Sequence, residues 1–494
     1  MKRCGRAISR LLLPVLAAAL LAAPASAQRR DRALEAALLA HVTELASDAY
    51  DGREPGTEGE AKTLRYLGRQ WFDIGLESGT NDPRNAWFAP VRLVAREAAT
   101  GYAAFSRKGR RLYLPPGSTE VFTSGQRTLI ENAPILFVGK GTVIPGRADL
   151  AGRVALLLDG GQEDSDRQNA LLKAGAAAVL TVLDGERTLD QVRARRGRSG
   201  YALATEQLGG DLEAFITTEG LERVLLGSGQ TLASLAAQAQ DPAFVPRAVD
   251  LAVSLEATTR ETRINTHNLI GRLPGRRPET GAVLLLAHWD HFGRCAEESA
   301  QNQICNGAID NASGIAALTE IARRLARGPQ MDRDVYFLAT TAEEIGLLGA
   351  SAFAENPPLP LSQIVAAFNL DSVALAPRGS PLGILGRGMT PLDAGIEAVA
   401  KAQKRKIAPG DAINAYIRRQ DGWALLQRDV PTVMVSSSWS DVARVERFFE
   451  SDYHRPTDMV KPGLDLSGTA EDVLFHVALV RHFADARKVP ARAQ

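Results

Sequence analysis

The stretch Leu284–Gly293 reads LLLAHWDHFG, so His288, Asp290 and His291 stand where an apolar run stops. The pattern recurs downstream. DVYFLATTA runs into Glu343 and Glu344, IVAAFNL runs into Asp371, GAIDNASG presents Asp310 ahead of a helix, and ESDYHRPTD supplies His454. Carboxylates and imidazoles gathered in one buried place need a cation, because each unpaired buried charge costs several kcal/mol. A mixed His/Asp/Glu set suits zinc, or two divalent ions sharing a carboxylate. His288, Asp310, one of Glu343 and Glu344, Asp371 and His454 make five candidate ligands, which exceed one tetrahedral zinc and favour two metals. Adjacent Glu343 and Glu344 cannot easily hold the same ion, so one ligates while its neighbour acts as a base on activated water. Asp290, two residues past His288, is placed to accept the second imidazole N–H. His291 stays outside the ligand set.

Each of these residues alone has a structural explanation: a satisfied strand-end histidine, a solvated helix start, a turn aspartate. Their joint occurrence at successive strand ends is what points to a metal site. His41, His267, His476 and His482 lack a comparable acidic setting and are assigned to structure.

Elements that would position these groups are legible in the hydrophobic pattern. From about His267 strands alternate with helices: AVLLLAH, a helix from Ser313 with Ile315, Leu318, Ile321 and Leu325 buried, DVYFLATT, a helix around Ile345 to Ala354, QIVAAFNLD, a helix near Leu392 to Gln403, and PTVMVSSS. Continuous apolar strands between helices predict an α/β fold, with a central sheet covered on both faces and a site beyond the strands' carboxyl ends. Residues 33–76 have helical periodicity, broken by the Gly/Pro-bearing SDAYDGREPGTEG. Between Val91 and Ala257 short strand-type runs (RLYLP, APILFVG, RVALLLDG, AAVLTVLD) surround one helical stretch and carry little recognisable chemistry, so this is a separate module. The basic run RARRGRSG near Arg193 reads as a solvated loop.

At 494 residues, 45% hydrophobic and 23% charged, the chain is globular and exceeds one core. Its first 27 residues have a basic start, an apolar run from Leu11 to Ala23 and an Ala25-Ser26-Ala27 end, the pattern of a cleaved secretory signal. Cleavage would remove Lys2, Arg3, Arg6 and Arg10 and no acid, taking the formal charge from +1 to −3. That balance implies no nucleic-acid partner, and no later run approaches a membrane span. Cys295 and Cys305 would be the mature chain's cysteines. In an oxidising compartment they are expected to form a disulfide closing a small loop.

The ordered set AHWDHFG, GAIDNASG, TTAEEIGLLG, FNLDSV and DYHRPTD resembles peptidase family M28, the co-catalytic zinc aminopeptidase group that also contains glutamate carboxypeptidase-like and glutaminyl-cyclase-like members. The resemblance implies a zinc exopeptidase fold: a mixed, mostly parallel sheet flanked by helices, with an inserted β-rich α/β module similar to a protease-associated (PA) domain. The implied division is a signal at 1–27, N-terminal helices at 28–95, the PA-like insert at 96–255 and the catalytic part at 256–494. Carried over by position, His288 and Asp371 bind one zinc, Glu344 and His454 the other, and Asp310 bridges them. Glu343 is then the general base, and Tyr453 matches a phenol that stabilises the tetrahedral intermediate in some members. Two departures stand out: the segment from His288 to Asp310 is long and holds both cysteines, and the Ser-Asp-His motif of the family is replaced by RRQDGWALL. The expected function is a secreted or periplasmic dizinc aminopeptidase acting on peptides. The alternatives are a carboxypeptidase, for which Arg418 and Arg419 are candidate substrate contacts, a glutaminyl cyclase, or a catalytically inactive binding scaffold.

Overall fold

The structure, a computed structural model, describes residues 30–492 apart from 82, 86, 141–142, 159–163, 198–199 and 207–208. The signal expected at 1–27 lies outside the described residues. Helix α1 (Arg32–Leu45) starts where the Asp31 carboxylate accepts the Leu34 N–H, and it buries Leu34, Leu38, Val42 and Leu45. Helix α2 (Glu58–Ile74) is capped by Thr57 and stops at Gly75, whose φ of 89° suits a residue without a Cβ.

Two long strands follow the second helix and tie the molecule together. Strand β1 (Phe88–Arg107) pairs antiparallel along β8 (Arg247–Leu273), with a register shift at Thr258/Thr259. Between them lie β2 (Thr119–Thr123), β3 (Arg127–Phe137), β4 (Val154–Leu158), β5 (Ala178–Val182), α3 (Leu189–Arg196), β6 (Gly200–Leu203) and β7 (Leu212–Ile216). β8 pairs antiparallel with β3, the ladder continues in parallel through β4, β5 and β7, and β2 closes it antiparallel. These strands enclose their own core of Phe105, Ile135, Leu156, Leu180, Ala214, Val253 and Leu255.

The second half of the sheet carries the expected alternation. Strands β9 (Ala282–His288), β10 (Asp334–Thr340), β11 (Ile364–Asn369) and β13 (Thr432–Ser436) are each buried along their whole length. Their order is β12 (Gly383–Leu385), β13, β11, β9, β10, β8, parallel from β13 to β10 and antiparallel at both outer joins. The fold is therefore mixed α/β with a mostly parallel central sheet. Helices α1, α2, α4 (Gly314–Ala326) and α7 (Ser467–Phe483) cover it through Leu38, Trp71, Ile315, Leu318 and Leu479. Helices α5 (Leu348–Glu355) and α6 (Val442–Ser451) complete the elements that border the site. Among the described residues no helix is long and apolar enough to cross a membrane.

The structure corrects several local expectations. The helix expected from Ile345 begins at Leu348, because Ala342 (φ 54°) and Leu347 (φ 58°) bracket a tight turn. The basic run near Arg193 is not a free loop: it ends α3, where Arg193 pairs with Glu120 and Arg196 with Glu213 at 2.7 Å. His41 and His267 do have acidic neighbours, Glu320 at 3.4 Å and Glu60 at 3.0 Å, away from the strand ends that gather the candidate ligands.

Arg53, in the connection between α1 and α2, stitches the N-terminal helices to the strand-end loops. Its guanidinium is fully buried and donates to the carbonyls of Leu45, Trp289, Asn306 and Gly307 at 2.6–3.0 Å. Replacing it by an apolar residue strands those carbonyls. Arg53→Met is expected to lower stability by at least about 3 kcal/mol, read as a shift of the denaturant midpoint; an unchanged midpoint would contradict this role.

Candidate metal centre

Parallel pairing sets the site. His288 and Thr340 are register partners at the ends of β9 and β10, so Glu343 and Glu344 emerge beside the imidazole. Asp371 leaves the end of β11, one strand to the other side, and its carbonyl accepts the Trp439 indole N–H at 2.8 Å. Asp310 lies just ahead of α4, in a segment whose peptide bond to Asn311 is cis. Asn311 anchors this segment by donating to Leu370 O and accepting from the Gly314 and Ser372 N–H groups. His454 arrives from the turn after α6 with φ 57°.

All five sequence-derived ligand candidates converge. His288 Nε2 lies 3.2 Å from Asp310 Oδ1 and 3.6 Å from Asp371 Oδ1, while His454 Nε2 lies 2.9 Å from Glu344 Oε2 and 3.4 Å from Asp310 Oδ2. Asp310 thus touches both imidazoles. His288, Asp310 and Glu344 can bring one atom each within 4.8 Å of one another, and so can His288, Glu343 and Asp371. Glu343 is therefore also within reach of an ion beside His288.

Electrostatics show why protein groups alone do not satisfy this cluster. Burial opposes protonation of His288, yet the Glu343 carboxylate and the adjacent carboxylates of Asp310 and Asp371 raise its pKa well above the ordinary value. The His454 imidazole is lifted to about 9 against its burial by Asp310 and Glu344. Burial pushes Glu343 well up, with Glu344 and Asp371 adding to the rise, and carries Asp290 to about 8. Imidazoles that hold protons and carboxylates that resist ionising both report excess negative potential, which a divalent cation relieves. His288 Nε2, His454 Nε2 and Asp310 Oδ2 are also buried without a hydrogen-bond partner among the described residues. Orphaned buried ligand atoms of N and O type, converging from strand ends, fit zinc.

The supporting groups differ from the expectation. His288 Nδ1 lies 3.2 Å from the backbone carbonyl of Asp290 and 3.8 Å from its carboxylate, so the carbonyl orients the ring. The Asp290 carboxylate instead accepts the Glu343 N–H at 3.2 Å and anchors the turn. His291 is buried with Nδ1 hydrogen-bonded to Glu344 Oε1. Asp458 accepts the Ile309 and Asp310 N–H groups, both at 3.0 Å, and burial raises its pKa to about 6. Asp421, inside RRQDGWALL, accepts the Thr340 hydroxyl and is raised to about 6 by burial. Tyr453 stacks on His454 with centroids 3.6 Å apart, and Arg419 lies over Phe449 and Tyr453 at 4.7 and 5.6 Å. Arg418 packs over Trp423 instead. The expected Cys295–Cys305 disulfide is present, and Phe292 beside that loop meets the His454 ring at 4.5 Å.

Comparison with known proteins follows this geometry. Residues 268–477 match the profile of peptidase family M28. Aminopeptidase YwaD of Bacillus subtilis (strain 168) is 26% identical over 270 residues, 54% of this chain and 49% of that protein. The alkaline phosphatase isozyme conversion protein of Escherichia coli (strain K12) is 30% identical over 102 residues, 19% of this chain and 29% of that protein. The chain thus spans half or less of the length of these curated relatives. The aminopeptidase from Aneurinibacillus sp. strain AM-1 shares the fold, with a TM-score of 0.52, 18% identity, and coverage of 91% of this chain and 93% of that one.

His291 gives this arrangement a direct check. Without its imidazole the Glu344 carboxylate loses a partner that fixes it toward His454. His291→Ala is expected to weaken zinc binding about 10- to 100-fold, measured by equilibrium dialysis; unchanged affinity would remove His291 from the support of the site.

Proposed function

We propose that this chain, which carries a peptidase family M28 domain at residues 268–477, is a dizinc aminopeptidase of the periplasm or extracellular space. The single observation that carries this reading is the convergence of Asp310 on both His288 and His454, whose facing nitrogens are buried without hydrogen bonds. In it His288 and Asp371 would hold one zinc and Glu344 and His454 the other, with Asp310, which faces both imidazoles, a ligand available to each. Bound zinc supplies Lewis acidity, polarising the scissile carbonyl and lowering the pKa of water.

The chain's own residues then carry the protons and the orientation. Glu343 takes a proton from the attacking water and returns it to the leaving amine. Burial raises its pKa well above the carboxylate range, which suits a group that must both accept and release a proton. Asp290 fixes the Glu343 backbone at 3.2 Å, so the base has one approach to the carbonyl. The Tyr453 phenol, held neutral by burial and by the carboxylates around it, donates to the developing oxyanion. The Cys295–Cys305 disulfide favours an oxidising compartment, in keeping with a secretory signal at 1–27. Residues 96–255, with the separate core around Phe105, Leu156 and Leu255, are the inserted PA-like module.

The test incubates the zinc-loaded protein with a free-amino peptide and its N-acetylated twin, followed by mass spectrometry with and without chelator. Chelator-sensitive removal of N-terminal residues from the free peptide alone is the expected result. C-terminal trimming of both peptides would establish a carboxypeptidase, and no cleavage of either would overturn the peptidase reading. Glu343→Gln is expected to retain zinc and lower kcat by about 10²- to 10⁴-fold, whereas a variant that turns over normally would remove Glu343 from the role of base.

A further inference from the structure

The turn that carries Glu343 and Glu344 is held from outside the M28 domain. Ala342 and Leu347 adopt left-handed φ values of 54° and 58°, and Gly346 has φ 125°. Non-glycine residues persist in this region only where their surroundings fix them. Backbone bonds from Leu348 N to Ala342 O and from Gly349 N to Thr341 O close the turn, both at 3.0 Å. The side chains of Ala342 and Leu348 are buried in one apolar cluster with Val91 and Leu93 of β1 and Leu203 of β6. Leu203 lies inside the 96–255 segment. A further bond joins the two parts, from Thr205 Oγ1 to Glu355 Oε2 at the end of α5, at 3.0 Å.

Along the same ladder lies a cavity. β6 pairs with β1 over four positions, from Leu93↔Leu203 to Arg96↔Gly200, so the apolar clamp and Arg96 are about 10 Å apart on one rigid ribbon. Arg96 and Gly200, with Tyr201, Phe122 and Leu172, line a cavity of about 540 Å³. This space suits a peptide of a few residues. Arg96 spends Nη2 on Glu261 at 3.2 Å, but its Nε and Nη1 are buried with no hydrogen-bond partner among the described residues. Buried guanidinium N–H groups left unpaired destabilise the fold, and a carboxylate is the group that satisfies them best. Among the lining acids Glu213 is already committed, since it pairs with Arg196 at 2.7 Å. Glu206 and Asp211 are exposed at the rim.

We propose that this cavity is an effector site for a peptide-sized, carboxylate-bearing ligand, and that its occupancy steadies the Glu343–Glu344 turn through β6 and Leu203. A ligand carboxylate on Arg96 ties β1 to the cavity walls and orders β6. Leu203, on the same four-residue strand, then presses Ala342 and Leu348 into the conformation their positive φ values require. A peptide with a free carboxyl end is the simplest member of this ligand class.

The probe is N-acetyl-trialanine, whose blocked amine makes it no aminopeptidase substrate, with its C-terminal amide as the twin that lacks the carboxylate. Calorimetric titration of the full chain is expected to show saturable binding of the acid. Binding should weaken about tenfold or more both for the amide and in Arg96→Gln. Hydrogen exchange at residues 340–348 should slow on saturation of the unaltered chain, and Leu203→Ala should retain binding while losing that slowing. Absence of saturable binding, equal affinity for the amide, or unchanged affinity in Arg96→Gln would overturn the site. Equal slowing in Leu203→Ala would overturn the route through β6. A catalytic site that trims carboxyl ends would also take the acid, but only binding in the cavity weakens in Arg96→Gln, so a failure of the aminopeptidase assignment leaves this test standing.

Discussion

Negative charge packed at one edge of the sheet is the constraint that the rest of the molecule answers. Asp290, Asp310, Glu343, Asp371, Asp421 and Asp458 are all buried there, and the Glu344 side chain is 4% exposed. The imidazoles of His288, His291 and His454 and the Arg53 guanidinium are the protein's own basic groups among them, and the Arg53 pKa falls to about 10 under its burial even with Asp458, Asp290, Asp310 and Glu344 around it. Arg53 makes its hydrogen bonds to carbonyls, not to these acids, so it offsets their field without occupying their oxygens. The oxygens and ring nitrogens therefore stay free to converge. A site that used arginines as direct partners would be electrically quieter and could hold no metal.

Holding like charges together requires a backbone that does not yield. Main-chain bonds hold the loops in place: Asp458 takes two N–H groups of the Asp310 segment, Asp290 takes the Glu343 N–H, and Asn311 bridges Leu370, Ser372 and Gly314. The parallel strands supply the fixed ends from which these loops start, and full burial on both faces makes those ends rigid. Positive φ values cluster where the demand is greatest, at Ala342, Leu347, Ser372 and His454. Local backbone strain here is balanced by tertiary packing, as at Ala342 beneath Leu203.

The strand-end residues were legible because a buried parallel strand writes itself as an unbroken apolar run, and whatever ionisable group follows it must emerge at the same edge. His288, Glu343, Glu344 and Asp371 could be found that way, and Asp310 from the helix that follows it. His291 was not separable from the sequence, since its value depends on Glu344 lying across the β9/β10 pair, a contact fifty-three residues away in the chain. Asp421 and Asp458 sit in polar turns where an aspartate has ordinary local uses. An arginine at position 53, inside a Gly/Pro-bearing connection, reads as solvated until the loops that bury it are assembled. Asp290 shows the finer limit: spacing located it beside His288 but could not tell its carbonyl, which orients the ring, from its carboxylate, which anchors the turn.

The long β1/β8 ribbon explains how a segment with its own core can still bear on the chemistry. Eighteen paired positions run from Ala252↔Ser106 to Leu269↔Phe88, so the ribbon begins in one core and ends in the other. β8 then goes on to pair with β10, the strand that delivers Glu343 and Glu344. A flexible tether would let the two parts move independently. A continuous ladder instead fixes β6 against β1 and therefore fixes Leu203 against Ala342 and Leu348. Any displacement of β6 acts on that cluster and through it on the turn, whose conformation already depends on packing. That contact makes the turn the place where an event at β6 would be felt.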